Sequence, residues 1–474
     1  MVIAARSQSW TKSVLHTAKG FDPTPLSILS GAIPTGLRGS LYRNGPARLE
    51  RGGARAAHWF DGDGAILGVH FTDAGATGVY RFVQGKEFQE EERAGHLLYG
   101  GYGTMPTGGI VQRFTKAIKN AGNTSVLVCS DRLLALWEGG HPHHVDLETL
   151  ETRGLDDVGG LSKAMTFSAH PKRDSKTGDV YNFGLSPGKN AMLNLYRIDA
   201  TGKLKQRNQI ELDGLPIVHD FVMAGQYLFF FISPVRANLL PLLLRLQSYS
   251  DALQWQPEKG TQVLVFDRAS LQLVNRSEAE PWYQWHFGNG CVDAEGNAIV
   301  DVVRYEDFDT NQYLKEVASG NPKTNAKSAL WQIRIDPRSA KVLEMHLLID
   351  RTCEFPVVQQ SEVGQPWRYT YLNIHRKADV EKPGMFGAIA RFDQETGEII
   401  EADCGANRYP MEPIYAVDRT DPNQGWIVTV VYDGNTDTSE VWIYDSDRLN
   451  DQPVCRLALP EVIPIGFHGT WHPA

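Results

Sequence analysis

The sequence predicts an all-β fold, a seven-bladed β-propeller with a dome of helices and loops over the active-site face. Two observations support this prediction. A strand–aspartate–turn–strand unit recurs along the chain, and histidines or glutamates follow it at a nearly constant distance. Because no linker or low-complexity segment divides the chain, we expect residues 1–30 to form an N-terminal segment and residues 31–474 to form one propeller domain.

The repeated unit is clearest at Leu195–Leu204 and Ala388–Ile399. Alternating apolar residues indicate half-buried strands, and aspartate with glycine supplies the turn between them. A supersecondary unit repeated at such intervals is typical of propeller blades. The alternative is a pair of β-sandwiches with chance hairpins. Seven aspartates mark the unit, 52 to 73 residues apart: Asp73, Asp146, Asp199, Asp267, Asp336, Asp393 and Asp445.

The composition is that of a globular protein. The chain has 474 residues, 42% of them hydrophobic and 22% charged, and its net charge of −9 disfavours a broad nucleic-acid surface. The five cysteines lie far apart and make no disulfide framework, which fits a reducing compartment. Because residues 1–20 lack the apolar run of a secretory signal, we expect a cytoplasmic protein.

Helix signals are few and are confined to Thr115–Ala121 and the Leu239–Tyr249 region. No window reaches the roughly 18 apolar residues that a membrane-spanning helix needs. The segment Ala237–Leu246 is apolar enough for shallow insertion, so we expect it to bring the protein to a membrane surface. The alternative is a buried helix of the dome.

The residues that follow the hairpin aspartates predict a metal site. Six successive repeats carry His, His, His, Glu, Glu and His 18 to 24 residues after the aspartate. Equivalent strands of a propeller face one axis, so these side chains should converge. Each histidine alone has an alternative role as a satisfied core residue. Imidazole suits zinc, copper, nickel and iron alike, so residue type does not choose the metal. The four histidines are His170, His219, His286 and His468.

Three glutamates are candidates to support these histidines. A histidine ligand usually donates its second ring N–H to a carboxylate, and Glu354 and Glu412 are placed to accept it. Glu138 is out of phase with the repeat, but it is a charged residue at the end of an apolar run, and its presence there calls for a functional explanation. The alternative for each is a solvated strand end. Aromatic residues are candidates to line a substrate tunnel, although most aromatics of a propeller fill its blades: Tyr99, Tyr102, Trp137, Phe287 and Phe467.

From about Gly31 to Trp471 the sequence resembles the carotenoid cleavage oxygenase family. The resemblance rests on short motifs that are specific in combination: Gly39–Pro46, Phe60–Gly64, Asn123–Thr124, Leu133–Glu138, Ala169–Lys172, His219–Phe221, Glu354–Pro356, Glu412–Ile414 and Gly466–Gly469. It implies a seven-bladed propeller with a helical dome and an iron(II) ion held by the four histidines. It also implies glutamate–histidine pairs: Glu138 with His219, Glu354 with His286, and Glu412 with His468.

The activity that the resemblance implies is dioxygen-dependent cleavage of a conjugated double bond in a carotenoid or apocarotenoid. The products are two aldehydes or ketones. The sequence departs from the family pattern after the third histidine, where Asn289 is kept but the following acid is displaced to Asp293. In the stilbene-cleaving branch a lysine precedes the first of the three glutamates. Trp137 stands there in this chain, which favours an apolar polyene.

Four other functions remain open at this stage. They are a stilbene-cleaving dioxygenase with the same iron site, an isomerising relative, a metal-dependent hydrolase such as a lactonase, and a non-catalytic propeller that binds partners. A hydrolase needs oxygen ligands or a water activated by a base, which four axial histidines do not supply. A non-catalytic propeller gives no reason for four histidines in phase.

Overall fold

The computed structural model describes residues 8–379 and 383–474 and confirms an all-β propeller. The described residues form six sheets of four or more strands. Sheet 1 contains Phe21–Pro25, Gly39–Arg48, Asp63–Thr72, Gly75–Phe82 and Gly469–Pro473. Sheet 2 contains Ser125–Cys129, Arg132–Leu136, His143–Val145 and Thr152–Leu155. Sheet 3 contains Lys172–Arg173, Val180–Ser186, Met192–Ile198 and Leu204–Glu211.

Sheet 4 has eight strands: Val222–Ala224, Tyr227–Ile232, Thr261–Asp267, Leu273–Ala279, Tyr283–Val292, Ala298–Tyr305, Ser328–Asp336 and Lys341–Ile349. Sheet 5 contains Cys353–Val357, Tyr369–Ile374, Ala388–Asp393 and Ile399–Asp403. Sheet 6 contains Ile28–Gly31, Arg408–Pro410, Ile414–Val417, Gly425–Asp433, Thr438–Asp445 and Cys455–Ala458. Two short ribbons pair Glu50–Arg51 with Ala54–Arg55, and Val235–Ala237 with Leu253–Trp255.

The expected seven separate blades are not found as seven sheets in the described part of the chain. Sheet 4 consists of two four-stranded antiparallel meanders, and one parallel pair, Ala224 with Gly290, joins them. Hydrogen bonding at this single point merges the two meanders into one sheet, so the described residues form six sheets of four or more strands.

The two ends of the chain close the ring. Gly469–Pro473 pairs with Gly39–Arg48 in sheet 1, and Ile28–Gly31 pairs with Cys455–Ala458 in sheet 6. The expected boundary between residues 30 and 31 falls inside the strand Ile28–Gly31. Hydrogen bonds between early and late strands hold the first and last sheets of the ring together.

The predicted hairpins are confirmed. All seven marker aspartates lie at the turn that joins two antiparallel strands. In six of the turns the carboxylate accepts a backbone N–H two or three residues ahead, as Asp199 does from Thr201 at 2.9 Å. Such aspartate turns reverse the chain without help from distant residues, so the hairpins can be predicted from the local sequence.

The blades pack through aromatic and aliphatic side chains. Alternate residues of Tyr227–Ile232 belong to two different clusters, with Phe230 and Ile232 in one and Phe229 and Phe231 in the other. Both faces of this strand are therefore buried between neighbouring sheets, which accounts for the most apolar run in the chain. No helix among the described residues is long and apolar enough to cross a membrane.

Helices are short insertions: α1 Thr11–Val14, α2 Lys86–Ala94, α3 Ile110–Thr115, α4 Leu239–Leu243, α5 Tyr249–Ala252 and α6 Asp309–Val317. Single 3₁₀ turns occur at Trp59–Asp61, Pro257–Lys259, Gln360–Glu362 and Lys377–Asp379. The region Leu239–Tyr249 contains the predicted helix in part, as α4 and the start of α5.

The predicted helix Thr115–Ala121 is wrong, since α3 ends at Thr115. Beyond it the chain is extended, and Ile118 pairs with Gly100. The ammonium of Lys119 lies in a buried ion-pair cluster, 2.6 Å from Glu91 and in direct contact with Asp63. These contacts draw the segment against sheet 1 and exclude a helix.

We expect Lys119→Met to lower the free energy of unfolding by about 3 kcal/mol, because the buried Glu91 loses its close cationic partner and keeps only Arg51, 3.8 Å away. Asp63 keeps Arg48 and Arg51. The matched control is Lys86→Met, whose ammonium is exposed and 3.9 Å from Glu90; its effect should stay below about 0.5 kcal/mol. Urea denaturation followed by tryptophan fluorescence measures both. Equal small effects for the two variants would contradict the role assigned to Lys119.

Candidate metal centre

Four histidines come together on the propeller axis, as the repeat spacing predicts. His170, His219 and His468 each lie one to three residues before a strand at the inner edge of a sheet, and His286 lies within Tyr283–Val292. All four are buried. One ring nitrogen from each lies within 4.8 Å of the others. These four residues lie up to 298 positions apart in the sequence, and the fold brings them together from four sheet segments.

The nitrogens that face one another are the Nε2 atoms. His170 Nε2 is 2.9 Å from His219 Nε2, and His219 Nε2 is 3.2 Å from His286 Nε2. The ring of His468 is 4.7 Å, centroid to centroid, from those of His170 and His286. Four lone-pair donors at this separation form an all-nitrogen ligand set, which suits a divalent transition metal.

Three glutamates hold the opposite side of the imidazoles. Glu354 Oε2 lies 2.5 Å from His286 Nδ1, Glu412 Oε1 lies 2.8 Å from His468 Nδ1, and Glu138 contacts His219 Nδ1 directly. These are the three pairs that the family resemblance implies. A carboxylate at Nδ1 accepts the proton there and leaves the Nε2 lone pair directed at the axis.

The glutamates are themselves fixed to different degrees. Glu354 accepts hydrogen bonds from the Tyr305 hydroxyl at 2.9 Å and from the Phe355 N–H at 2.8 Å, and Glu412 accepts one from the Gly469 N–H at 2.7 Å. Glu138 has 31% of its side chain exposed, against 7% for Glu354 and 8% for Glu412. The site therefore has two rigid supports and one that faces open space.

Burial sets the charge of the histidines. It lowers the pKa of His286 and, together with the neighbouring imidazoles, that of His170, well below the ordinary value. Burial also opposes a proton on His219, but the carboxylate of Glu138 outweighs it and raises the pKa of that ring. Burial raises the pKa of Glu354 to about 7. Neutral imidazole is the form that binds metal, so His170 and His286 are ready for ligation.

An ion pair between the buried Asp220 and the partly exposed Lys172 links three of the histidine-bearing segments. Asp220 follows His219; its carboxylate accepts the backbone N–H of Phe287 at 3.0 Å and lies 2.8 Å from the ammonium of Lys172. Phe287 follows His286, and Lys172 is two residues beyond His170. The pair therefore fixes the relative positions of His170, His219 and His286 from behind.

The fourth histidine is held by Arg43. Its buried guanidinium donates to the carbonyls of Glu412 at 2.6 Å and Phe467 at 3.0 Å. Next to it, the close approach of Gly45 to Gly466 leaves no room for a side chain, since a Cβ on Gly45 would lie 2.4 Å from the Gly466 Cα. The motif Gly39–Pro46 thus anchors the segment that carries His468.

The histidines open into a cavity of about 680 Å³. His219, His286 and His468 lie in its wall, together with Glu138 and Glu354. Most of the remaining lining is aromatic or aliphatic and comes partly from α3, α4 and α6, the insertions over this face. The cavity can therefore hold an elongated apolar molecule beside the Nε2 cluster.

The tunnel residues expected from the sequence divide into two groups. Tyr102, Trp137 and Phe467 line the cavity. Tyr99 and Phe287 do not, and these two expectations are corrected. Phe287 follows His286 in a strand, so its side chain faces the other side and packs on Phe231 at 5.3 Å. The Tyr99 hydroxyl donates to Glu90, away from the main cavity.

Asn289 and Asp293, where the chain departs from the family pattern, both lie away from the histidines. The Asn289 amide holds the loop at Glu362 and Gly364, at 2.8 and 2.9 Å. Asp293 forms a turn with Asn297 and an ion pair with Arg334. The displaced acid is therefore part of a blade hairpin and leaves His286 unaffected.

Sequence reasoning missed Phe355 and Asp61. Phe355 has φ of +57°, which is strained for a bulky residue, and its ring lies 5.4 Å from His286 and 5.2 Å from His468. The Asp61 carboxylate accepts the N–H groups of Tyr102 and Gly103 at 2.6 and 2.9 Å and so fixes a loop of the cavity wall. Asp61 lies in the Phe60–Gly64 motif, so that motif was the available signal.

We expect Glu354→Gln to weaken binding of cobalt(II) by about 10–100-fold, because the amide no longer accepts the His286 proton as a carboxylate does. Glu362→Gln is the matched control, since the Glu362 side chain has no contact with the histidines among the described residues. Titration of the metal-free protein, followed by cobalt absorption, gives both dissociation constants. Equal constants for wild type and Glu354→Gln would remove this role from Glu354.

The chain matches known proteins over nearly its whole length. It matches the model of the family described as retinal pigment epithelial membrane protein, RPE65, over residues 15–473. It is 32% identical to apocarotenoid-15,15'-oxygenase of Synechocystis over 94% of this chain and 92% of that protein. It is 26% identical to resveratrol cleavage oxygenase 1 of Aspergillus fumigatus over 93% of this chain and 91% of that protein.

The fold agrees with a solved structure of the same kind. The structure of cobalt-substituted Synechocystis ACO superimposes with a TM-score of 0.88 and 30% identity, covering 99% of this chain and 100% of that one. The family match, over residues 15–473, includes all six sheets and all four histidines. This chain belongs to the RPE65 and carotenoid cleavage oxygenase family.

Proposed function

We propose that this protein is an iron(II) dioxygenase that cleaves a conjugated double bond of an apocarotenoid or carotenoid. Both atoms of dioxygen end in the two carbonyl groups of the products. The observation that carries the proposal is the cluster of four buried histidines at the wall of an apolar cavity of about 680 Å³. The 32% identity to an apocarotenoid oxygenase supports the same reaction.

The four histidines would hold the iron. Their Nε2 atoms converge, three of the rings are supported at Nδ1 by glutamate, and no cysteine or carboxylate takes part in the cluster among the described residues. Neutral ligands leave the full charge of a divalent ion uncompensated. Iron(II) bound there supplies the redox chemistry by which dioxygen attacks a double bond.

The chain's own residues bind and orient the substrate. Trp137, Phe467 and Phe60 give the cavity flat apolar surfaces that suit a planar conjugated chain. Phe355 packs on two of the histidine rings and shields them from water. Glu138, Glu354 and Glu412 act as positioning residues that hold the imidazole protons at Nδ1.

Polyenes are favoured over stilbenes by the cavity wall. Trp137 lies in the lining at the position where the family resemblance places a lysine in stilbene-cleaving enzymes. Among the described lining residues the only lysine or arginine is Arg245, which lies next to the exposed leucines of α4. A phenolate would therefore lack a cationic partner in the interior of the cavity. Stilbene cleavage is kept as the second candidate because of the 26% identity to a resveratrol cleavage oxygenase.

The propeller count has a physical interpretation. We propose that the two meanders of sheet 4 are separate blades, so that the ring has seven. Each blade then carries one marker aspartate at its outer hairpin. Six of the seven blades also direct a histidine or a glutamate to the axis.

The predicted reaction is tested by incubating iron-loaded protein in air with an apocarotenal, with β-carotene and with resveratrol, each in detergent micelles. We expect two shorter carbonyl products from a polyene, identified by chromatography and mass spectrometry, and their masses locate the cut. His286→Ala is the control and should form neither product. Cleavage of resveratrol with no turnover of either polyene would decide for the stilbene-type enzyme.

We also propose that the cavity takes its substrate from a membrane surface through α4. Leu240 and Leu243 are about 70% exposed, and Leu244 and Leu246 are also exposed. Leu243 and Arg245 line the cavity, as do the exposed Phe114 of α3 and Ile118 just beyond it. Exposed apolar residues grouped at the end of an apolar cavity are typical of a membrane contact.

We expect Leu240→Ser with Leu243→Ser to reduce binding to phospholipid vesicles several-fold, because each removes apolar surface from the contact. Leu343→Ser with Leu347→Ser is the matched control, since these leucines are exposed on an outer strand of sheet 4. Vesicle co-sedimentation measures both pairs. If the first pair sediments with vesicles as wild type does, α4 is not the membrane contact.

A further inference from the structure

Two buried side chains in the cavity wall have hydrogen-bond acceptors without partners. Asn373 and His375 are 1% and 5% exposed, and both line the cavity. The amide nitrogen of Asn373 donates to the Pro410 carbonyl at 3.0 Å, but Asn373 Oδ1 has no partner in the described structure. His375 Nδ1 has none either. A buried polar atom without a partner is costly, so each such atom calls for an explanation.

The chemistry of both atoms follows from their neighbours. His375 Nε2 lies 3.2 Å from the Gly384 carbonyl, and a carbonyl oxygen only accepts, so Nε2 carries the proton. Burial lowers the pKa of His375, which keeps the ring neutral. His375 Nδ1 is therefore a bare lone pair, like Asn373 Oδ1. At this place the wall presents two neutral acceptors.

Both side chains belong to one strand, near the metal ligands. Asn373 lies in Tyr369–Ile374, paired with Glu354, and His375 follows two residues later on the same side. A row of aromatic rings connects this place with the histidines: Phe355 lies 5.4 Å from His286 and 6.4 Å from Phe386, and Phe386 lies 5.2 Å from His375. A conjugated chain beside the histidines can thus reach both acceptors with its end group.

We propose that Asn373 and His375 form a polar subsite for a hydroxyl group at the end of the conjugated substrate. This rests on the proposed function and adds to it a substrate class, molecules with a ring alcohol or a phenol. A hydroxyl donates a hydrogen bond to an acceptor, whereas a carbonyl or ether oxygen presents a further lone pair to the wall. A water molecule bound to both acceptors would use both of its protons there and turn an oxygen lone pair toward the cavity. The bound water would therefore also favour a ligand group that donates a hydrogen bond.

Among the described residues, no neighbouring side chain donates a hydrogen bond to either acceptor. The Tyr313 hydroxyl, also in the lining, donates to the Gly384 carbonyl at 2.7 Å. That carbonyl also accepts from His375, so the tyrosine proton is directed away from Asn373 Oδ1 and His375 Nδ1. The lone pairs remain available to a ligand.

The test compares pairs of ligands that differ by one hydroxyl: an apocarotenal with and without a hydroxyl on its ring, and a stilbene with and without one phenol. Dissociation constants are measured on metal-free protein from quenching of tryptophan fluorescence, so that binding is judged apart from turnover. We expect wild type to bind the hydroxylated member of one pair about tenfold more tightly, the worth of one buried hydrogen bond. The pair that shows the preference identifies ring alcohol or phenol as the ligand.

Two variants locate the effect. His375→Phe keeps the ring contact with Phe386, and Asn373→Leu keeps the side-chain shape. A hydroxyl donates its one proton to one acceptor at a time, so the double variant, which lacks both acceptors, should reduce the preference to about threefold or less, and the single variants show which acceptor is used. His143→Phe is the matched control, because His143 is equally buried, also has an unpartnered Nδ1, and lies outside the cavity lining. It should keep the wild-type preference. Thermal melting shows which variants are folded.

The outcomes separate this proposal from the proposed function. A wild-type preference below twofold for both pairs overturns the subsite, and so does a wild-type preference that survives in the folded double variant. If iron-loaded protein cleaves none of the ligands but metal-free protein binds the hydroxylated member more tightly, the subsite stands and the proposed reaction fails. Cleavage of both members of a pair at equal rates, with equal binding, leaves the reaction and removes the subsite.

Discussion

The fold has to hold four imidazole lone pairs together on one axis, and the contacts around the histidines serve this requirement. Nε2 atoms 2.9 and 3.2 Å apart repel one another unless a cation or proton lies between them. Burial disfavours the proton on His170 and His286. The fold therefore holds together four lone pairs that a bound cation stabilises, and it must hold them against their mutual repulsion.

The structure supplies that restraint at two levels. Glutamates fix the rings from the Nδ1 side, and buried charges fix the strands behind them. Asp220 with Lys172 links three of the histidine segments, and Arg43 links the segment of His468 to that of Glu412. A ring closed by pairing of its first and last strands is well suited to this task, because each ligand comes from a different segment and none can move alone.

Much of the scaffold could be predicted because its signals are local. An aspartate turn such as that at Asp199 reverses the chain within a few residues, and the phase of His170 or Glu354 relative to such turns follows from the repeat. The merging of two meanders through the pair Ala224 and Gly290 has no local signal. The extended segment at Lys119 depends on Asp63 and Glu91, distant in sequence, and so its helix was wrongly predicted.

The site shows the same division. Histidine and glutamate positions follow from repeat phase and family resemblance, and the direction of Phe287 would have followed from strand alternation beside His286. The acceptors of Asn373 and His375 carry no signal in the sequence, because their importance lies in what the folded chain leaves unpaired.

The most direct test of the account is X-ray absorption at the iron edge of the iron(II)-loaded protein, prepared without oxygen. Four histidines as the only protein ligands predict a spectrum dominated by imidazole nitrogen, with multiple scattering from about four rings, one iron per chain and no sulfur scatterer. A spectrum with two or fewer imidazoles, or with a protein carboxylate bound to the iron, would contradict the four-histidine centre and the mechanism built on it.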